Sequence, residues 1–367
     1  MRYLFAFILL IHGLIHLMGF VKAFKLGEVS QLSGHFSKPA GLVWLATAIL
    51  FLFAVGAFIL KKDGWWMPAA AAVVLSQLLI MSQWNDAKFG TIANIIALAV
   101  LLPAFGQWRF NGMVQQELAV FMPRTITAAP VLTREMVTGL PPVVQQWLER
   151  SNAIGRPVVK TAHLFQKGEM RTTPDGKWMP VGSRQFITVD KPGFFWTADV
   201  LAAPMISMTA RDKYENGKGF MTIRLLSLFP VADAKGPETD QGAMVRYLAE
   251  ICWLPSAALS EYIAWEQVDS ASAKATMRYG GIEASAVFTF TPDGDIKSIE
   301  AMRYYDRKSG PTLEKWHISI DPNGYREFEG LRIPAISNVA WLLKAGDFTW
   351  YKLEITDIRY NEPYRPE

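Results

Sequence analysis

The chain has 367 residues, of which 51% are hydrophobic and 19% charged, and its formal net charge is +4. A net charge this small, without a basic cluster, excludes nucleic acid as an expected partner. Cys252 is the single cysteine, so an intrachain disulfide is excluded as well.

The first third of the chain contains four long apolar stretches, at residues 3–20, 40–60, 65–84 and 90–108. Each could cross roughly 30 Å of hydrocarbon as a helix with a rise of about 1.5 Å per residue. The first stretch lacks a small-x-small cleavage site, so we interpret it as a retained helix and not as a signal peptide. The sequence predicts a four-helix transmembrane domain over residues 1–108. Lysines and arginines divide almost evenly between the two sides of these stretches, which leaves the orientation open.

Two histidines interrupt the first apolar stretch. His12 and His16 are four residues apart, so their rings would project from one face of a helix. Because polar side chains are costly in lipid, we expect the pair to face Ser76, Gln77 or Asn94 inside the bundle.

The histidine pair has two interpretations. One is interhelical hydrogen bonding, and the other is metal or haem ligation in a redox bundle whose activity the soluble half regulates. Ligation needs further ligands, and His35 in the first loop is the one remaining histidine of this half. The zincin pattern is also absent, because Gly13 stands where that pattern has its Glu. We therefore favour hydrogen bonding.

Residues 109–134 form a mixed stretch that the sequence predicts to be an interfacial linker. Its apolar residues, Leu118 and Phe121 among them, fit a short amphipathic helix in the membrane interface and an irregular linker about equally well. After it, Pro142 and Gly155 frame a short predicted helix.

Residues 135–367 have the pattern of a soluble β domain. In 282–290, Ile282, Ala284, Ala286, Phe288 and Phe290 share one face, as in a half-buried strand. Turn signals recur at short intervals between about ten such runs, which predicts an antiparallel sheet with short connections. The expected fold class is thus an α-helical membrane bundle followed by a mainly-β domain.

Residues 240–264 interrupt the strand pattern with helical spacing. A helical segment inserted in a long antiparallel sheet typically covers one open face, so we predict a helical lid over a curved sheet or half-barrel. The lid is expected to leave space beneath it. Arg246 and Glu250 lie at i, i+4 on this helix, where an ordinary ion pair and a grip on an anionic headgroup are both open.

Several short motifs resemble those of an uncharacterised bacterial family of membrane proteins. They are W-x-A-D at 196–199, D-K-Y-x-x-G-x-G at 212–219, R-Y-L-A-E-x-x-W-L-P at 246–255, W-E-x-x-D-S at 265–270, F-x-F-x-x-x-G at 288–294 and I-P at 333–334. The plan of the soluble half is also similar to the lipoprotein carriers LolA and LolB, whose half-barrel cradles acyl chains. The membrane half loosely resembles DoxX-type four-helix proteins. These resemblances imply a multi-pass protein of the bacterial inner membrane, and no activity comes with them.

The predicted site is an apolar pocket under the lid, because the soluble half has more aromatic residues than a plain sheet needs. We expect its lining to come from six residues: Trp196, Tyr214, Arg246, Tyr247, Glu250 and Trp253. No nucleophile motif, phosphate loop or paired carboxylates accompany them, so an enzyme is not favoured and no cofactor is predicted.

The functional expectation is a membrane-anchored protein that carries or senses a lipid or another apolar molecule. Two alternatives stay open: the redox or metal-binding bundle that uses His12 and His16, and a protein-interaction module whose sheet docks a partner.

Overall fold

The computed structural model describes residues 2–365, and the chain divides into two compact units with the boundary between Gly112 and Met113. In the first unit, four helices are long and apolar enough to cross a membrane. They are α1 (Arg2–Ala23), α2 (Lys38–Ile59), α3 (Trp66–Ser82), which a 3-10 turn at Asp63–Trp65 precedes and the short α4 (Trp84–Ala87) follows, and α5 (Gly90–Phe121). The four predicted helices are therefore present. The last one continues to Phe121, past the internal Pro103, and ends two residues before Pro123.

Small residues let α1 and α2 approach closely. A Cβ on Gly19 would lie 2.2 Å from the Trp44 ring, and one on Gly13 would lie 2.8 Å from Cβ of Phe51. Glycine at these positions allows the large aromatic rings to pack directly on the α1 backbone, as is common between helices in a bilayer.

The second unit contains one sheet of thirteen strands and a separate two-stranded sheet. Two short helices precede them, α6 (Arg134–Val137) and α7 (Pro142–Arg150), and α8 (Pro237–Glu250) lies between the sixth and seventh strands. The strands are β1 (Thr161–Met170), β2 (Met179–Thr188), β3 (Gly193–Ala203), β4 (Ile206–Glu215), β5 (Lys218–Leu225), β6 (Phe229–Ala234), β7 (Ile263–Gln267), β8 (Ser272–Tyr279), β9 (Ile282–Phe290), β10 (Ile296–Tyr305), β11 (Thr312–Ile320), β12 (Tyr325–Phe328), β13 (Leu331–Pro334), β14 (Ile336–Leu343) and β15 (Gly346–Tyr360).

The large sheet is antiparallel and strongly curved. Its strand order is β6-β5-β4-β3-β2-β1-β15-β14-β11-β10-β9-β8-β7. Thirteen flat strands at about 4.8 Å spacing would span roughly 60 Å. Nevertheless, α8 contacts β4 and β5 near one edge and β8, β9 and β10 near the other. The β4–β5 and β8–β9 turns also meet, because a Cβ on Gly217 would lie 2.9 Å from Cα of Gly280. The predicted half-barrel is confirmed.

The concave side of the sheet is filled by α8 and the segment after it. Met244, Val245 and Leu248 are fully buried in the core of this unit. The expected space beneath the predicted lid is thus occupied by side chains, because the sheet curls around the helix and encloses it. The predicted helical segment is also shorter: α8 ends at Glu250, two 3-10 turns follow at Ile251–Trp253 and Pro255–Leu259, and Ile263 begins β7.

The convex side is partly covered by the last turns of α5. Phe121 packs on Phe195 with ring centroids 6.0 Å apart. Glu117 lies 3.4 Å from Arg211 and 3.5 Å from Lys213, measured between charged atoms. Residues 109–134, predicted to be an interfacial linker, therefore comprise these helical turns, an extended stretch and the start of α6.

Candidate functional site

Arg246 lies at the centre of a polar cluster inside the half-barrel. From α8, its Nη1 contacts Asp212 Oδ2 on β4 at 2.7 Å, and its Nε contacts Glu250 Oε1 at 2.8 Å. Its guanidinium carbon is also 5.1 Å from the ring centroid of Trp196 on β3. The structure thus brings together three of the six predicted residues, Arg246, Glu250 and Trp196. The pairing with Asp212 was not predicted.

Uncharged side chains complete the hydrogen bonding of this cluster. Gln185 on β2 donates to Glu250 Oε2 at 2.5 Å and accepts from Arg246 Nη2 at 3.2 Å. The Trp196 indole donates to Gln166 Oε1 at 3.1 Å. Since the arginine, both carboxylates and the indole have partners from the chain itself, the cluster has the character of a buried structural network.

Burial and charge act in opposite directions in this cluster. Burial raises the pKa of Glu250 above its usual value, although Arg246 opposes that shift. Burial would lower the pKa of Arg246, but Glu250 and Asp212 outweigh it and hold the pKa above the usual value. The guanidinium is therefore charged and neutralised from within.

The other three predicted residues lie elsewhere in the interior. Tyr214 and Tyr247 pack with ring centroids 6.0 Å apart, and the Tyr247 hydroxyl lies 2.8 Å from that of Tyr262. Trp253 donates from Nε1 to the carbonyl of Pro334 at 3.0 Å. All three predicted residues are buried in the packed core.

In the helical unit, His12 and His16 face the bundle interior as predicted. His12 Nε2 lies 3.1 Å from Ser76 Oγ and 2.9 Å from Asn94 Oδ1. Asn94 in turn donates to Gln77 at 3.0 Å. Hydrogen bonding between helices is therefore confirmed for His12.

The described residues supply no further ligand for a metal ion at His12 and His16. His16 Nδ1 lies 2.8 Å from the carbonyl of His12, and its Nε2 is buried without a hydrogen-bond partner in residues 2–365. Within the same range, no group of three or more His, Cys, Asp or Glu could hold a metal ion.

A cleft of about 380 Å³ lies on the convex face of the sheet, and we call it the convex-face cleft. Its volume is near the lower end of the range of roughly 300–1,000 Å³ for small-molecule sites. Leu118 and Met122 of α5 and Phe186 of β2 supply apolar surface. Its cations are Arg184 of β2, Arg359 of β15, and Arg365.

The last described residues form one wall of the convex-face cleft. Tyr364 donates from its hydroxyl to Gln115 Oε1 at 2.5 Å, and its backbone N–H donates to the carbonyl of Pro123 at 3.4 Å. Its ring lies edge-on to Phe186, with centroids 5.7 Å apart. His163 stacks on Phe186 at 4.0 Å. These contacts hold the wall against α5 and β2.

The convex-face cleft is positive and partly apolar. Its lining has three arginines and one carboxylate, that of Glu362. Arg359 lies 3.4 Å from Asp357 and 4.0 Å from Glu362, and about half of its side chain is exposed. Unlike Arg246, this guanidinium retains open surface with which it could bind an anion.

The sequence is similar to that of a known protein family. A family model matches residues 130–353, which is more than half of the chain. The chain belongs to the family of unknown function DUF6544. The predicted membership of an uncharacterised family is therefore confirmed, and the DUF6544 match covers most of the second unit. No curated protein is similar enough to count as a match.

Solved structures with some similarity to this DUF6544 protein are distant. A domain described as an outer membrane lipoprotein-sorting protein from Vibrio parahaemolyticus has 9% identity and a TM-score of 0.30, with 61% of this chain and 92% of that chain covered. A DUF1329 family protein from Desulfovibrio piger has 8% identity and a TM-score of 0.35, with 61% and 93% covered. TM-scores at this level do not establish a shared fold.

Proposed function

We propose that this chain is a multi-pass protein of the bacterial inner membrane that binds an amphiphile with an anionic headgroup, for carriage or sensing. The convex-face cleft carries this proposal, because it combines three arginines with apolar surface around an open volume of about 380 Å³. Guanidinium groups suit carboxylate and phosphate headgroups, and the apolar surface suits the adjoining chain.

The position of the convex-face cleft along the chain supports a lipid-like ligand. Gln115 and Leu118 follow within ten residues of Trp108, where the predicted fourth apolar stretch ends. The four apolar helices support membrane association. A molecule that partitions into the bilayer would therefore be concentrated near this site.

The full-length protein in a neutral maltoside detergent offers a direct test. It is titrated with dihexanoyl-phosphatidylglycerol, with dihexanoyl-phosphatidylcholine and with glycerol 3-phosphate, and binding is followed by calorimetry. We expect the anionic lipid to bind more tightly than either of the others. Arg359→Gln should weaken its binding about tenfold, since a charge-assisted hydrogen bond contributes roughly 1.5–3 kcal/mol.

Arg278→Gln is the matched control. Arg278 is exposed on β8, where it pairs with Glu283 at 2.6 Å, and its loss should leave binding unchanged. Equal binding of both lipids, or equal affinity of Arg359→Gln and wild type, would contradict the proposal. Glycerol 3-phosphate binding as tightly as the lipid would indicate a site for free phosphate instead.

The same experiment also tests the site that the sequence predicts on the concave side. If the ligand reached Arg246, then Arg246→Lys would weaken lipid binding and Arg359→Gln would not. We expect the reverse, because the donors of Arg246 are already bonded to Asp212, Glu250 and Gln185.

A further inference from the structure

Two neighbouring turns of the large sheet expose apolar side chains. The β3–β4 turn presents Met205, which is 66% exposed, and the β5–β6 turn leads into Phe229, which is 59% exposed. A hydrogen bond of 2.7 Å from the Leu226 N–H to the carbonyl of Ser207 joins the two turns. Leu201, Ile206 and Val231 are also exposed beside them. We call this surface the apolar turn pair.

The two segments that form the apolar turn pair are uncharged. Residues 200–210 and residues 225–232 contain no charged side chain. Exposed turns are normally built from Gly, Asn, Asp, Ser and Pro. An exposed group of large apolar side chains indicates a surface that another apolar phase covers.

The backbone of both turns is strained where the apolar residues stand. Met205 follows Pro204 and has φ 66°, a position at which a type II turn favours Gly or Asn. Leu226 and Ser227 have φ 53° and 59°, the pair of positive values that Asn-Gly adopts with least strain in a hairpin. Stability alone would thus favour other residues here. The strain at Met205 is an independent indication that this exposed apolar side chain has a role.

The chain itself indicates which apolar phase covers these residues. Helices able to cross a membrane are part of the same polypeptide, so a bilayer is always within tethering distance. A second copy pairing along the edge strand β6 is disfavoured, because Pro230 cannot donate to a neighbouring strand and the β5–β6 register shifts beside it.

We propose that the apolar turn pair inserts into the interfacial region of a lipid bilayer. Met205 and Phe229 penetrate between the headgroups, as the apolar side chains of interfacial segments do. This inference concerns a surface other than the convex-face cleft and does not depend on any ligand there.

Site-specific fluorescence on the full-length protein tests this inference. Cys252 is buried, so a cysteine introduced at Met205 or Phe229 can be labelled selectively with an NBD probe. The labelled protein is reconstituted in vesicles of phosphatidylethanolamine and phosphatidylglycerol, with and without a lipid that carries a quencher on its acyl chain. We expect blue-shifted emission and several-fold stronger quenching at both positions than at the control positions. Met302→Cys and Val268→Cys are these controls, with 46% and 54% exposure on other strands and turns.

A second variant separates insertion from folding. Met205→Asn should raise the unfolding temperature, because Asn tolerates positive φ, and should weaken lipid quenching of the probe at position 229. Solvent-like emission at both turn positions would overturn the inference. Probe burial that grows with the protein-to-lipid ratio would overturn it too, since that result indicates contact between copies.

Discussion

The two faces of the large sheet use arginine in opposite ways. On the concave face, Arg246 is enclosed by α8 and the sheet, and two carboxylates of the chain neutralise it. On the convex face, Arg359 is half exposed, its ion pairs are longer, and open volume lies beside it. An arginine near aromatic rings therefore does not by itself indicate a binding site. What matters is whether its donors are already bonded within the protein.

The largest effect should come from breaking the concave cluster. Arg246→Met leaves Asp212 and Glu250 buried without the cation that both contact, which costs roughly 3–5 kcal/mol of unfolding free energy. Denaturant unfolding of the full chain in detergent measures it. Arg278→Met, in an exposed pair, should cost less than about 1 kcal/mol and is the control. Equal losses of unfolding free energy in the two variants would contradict the distinction between the buried and the exposed arginine pairs.

A smaller loss of stability should follow from separating the β4–β5 and β8–β9 turns, which touch each other across the half-barrel. Gly217→Ala places a Cβ about 2.9 Å from Gly280 Cα at φ 78°, whereas Gly281→Ala has the same strain at φ 79° with no atom within 4 Å. Both should lose roughly 1 kcal/mol of unfolding free energy from backbone strain, and Gly217→Ala should lose more through the clash. Equal unfolding temperatures for the two variants would show that the turns do not touch.

The wall of the convex-face cleft offers a milder perturbation. Tyr364→Phe removes the hydrogen bond to Gln115 and keeps the ring against Phe186. We expect a stability change within about 0.5–1.5 kcal/mol and weaker binding of phosphatidylglycerol, because the wall is no longer held to α5. Calorimetry on the variant measures both. Tyr304→Phe, at an exposed ring on β10, should change neither quantity.

The overall plan could be predicted because its signals are local. Runs of eighteen or more apolar residues identify membrane helices, and alternation such as that of 282–290 identifies strands. The helical insertion around Arg246 was visible for the same reason. Its length was overestimated, since the helical turns after Pro255 lead directly into a strand at Ile263.

The site could be predicted only in part because its geometry is not local. The curl that brings Gly217 against Gly280 depends on the accumulated twist of the whole sheet, so no short pattern reveals that the concave side is filled. The pairing of Arg246 with Asp212 joins α8 to β4. The convex-face cleft likewise joins Leu118, Arg184 and Arg359 from three distant segments, each of which resembles an ordinary surface residue in its own strand or helix.

The smallest expected effect is a pH dependence of stability that arises from Glu250 on the concave face. Burial raises the pKa of Glu250 above its usual value of 4.5, so the native state binds a proton more readily than the unfolded chain does. The stabilisation from this group is therefore fully present below pH 4.5 and is lost as the pH rises through the elevated native pKa. Relative to Glu250→Gln, wild type should gain unfolding temperature as the pH is lowered from neutrality toward 4.5. Arg359→Gln should follow the wild-type profile, since that arginine is remote from Glu250. If the difference in unfolding temperature between wild type and Glu250→Gln did not change with pH, the Glu250 carboxyl would be open to water, as the Arg359 side chain is.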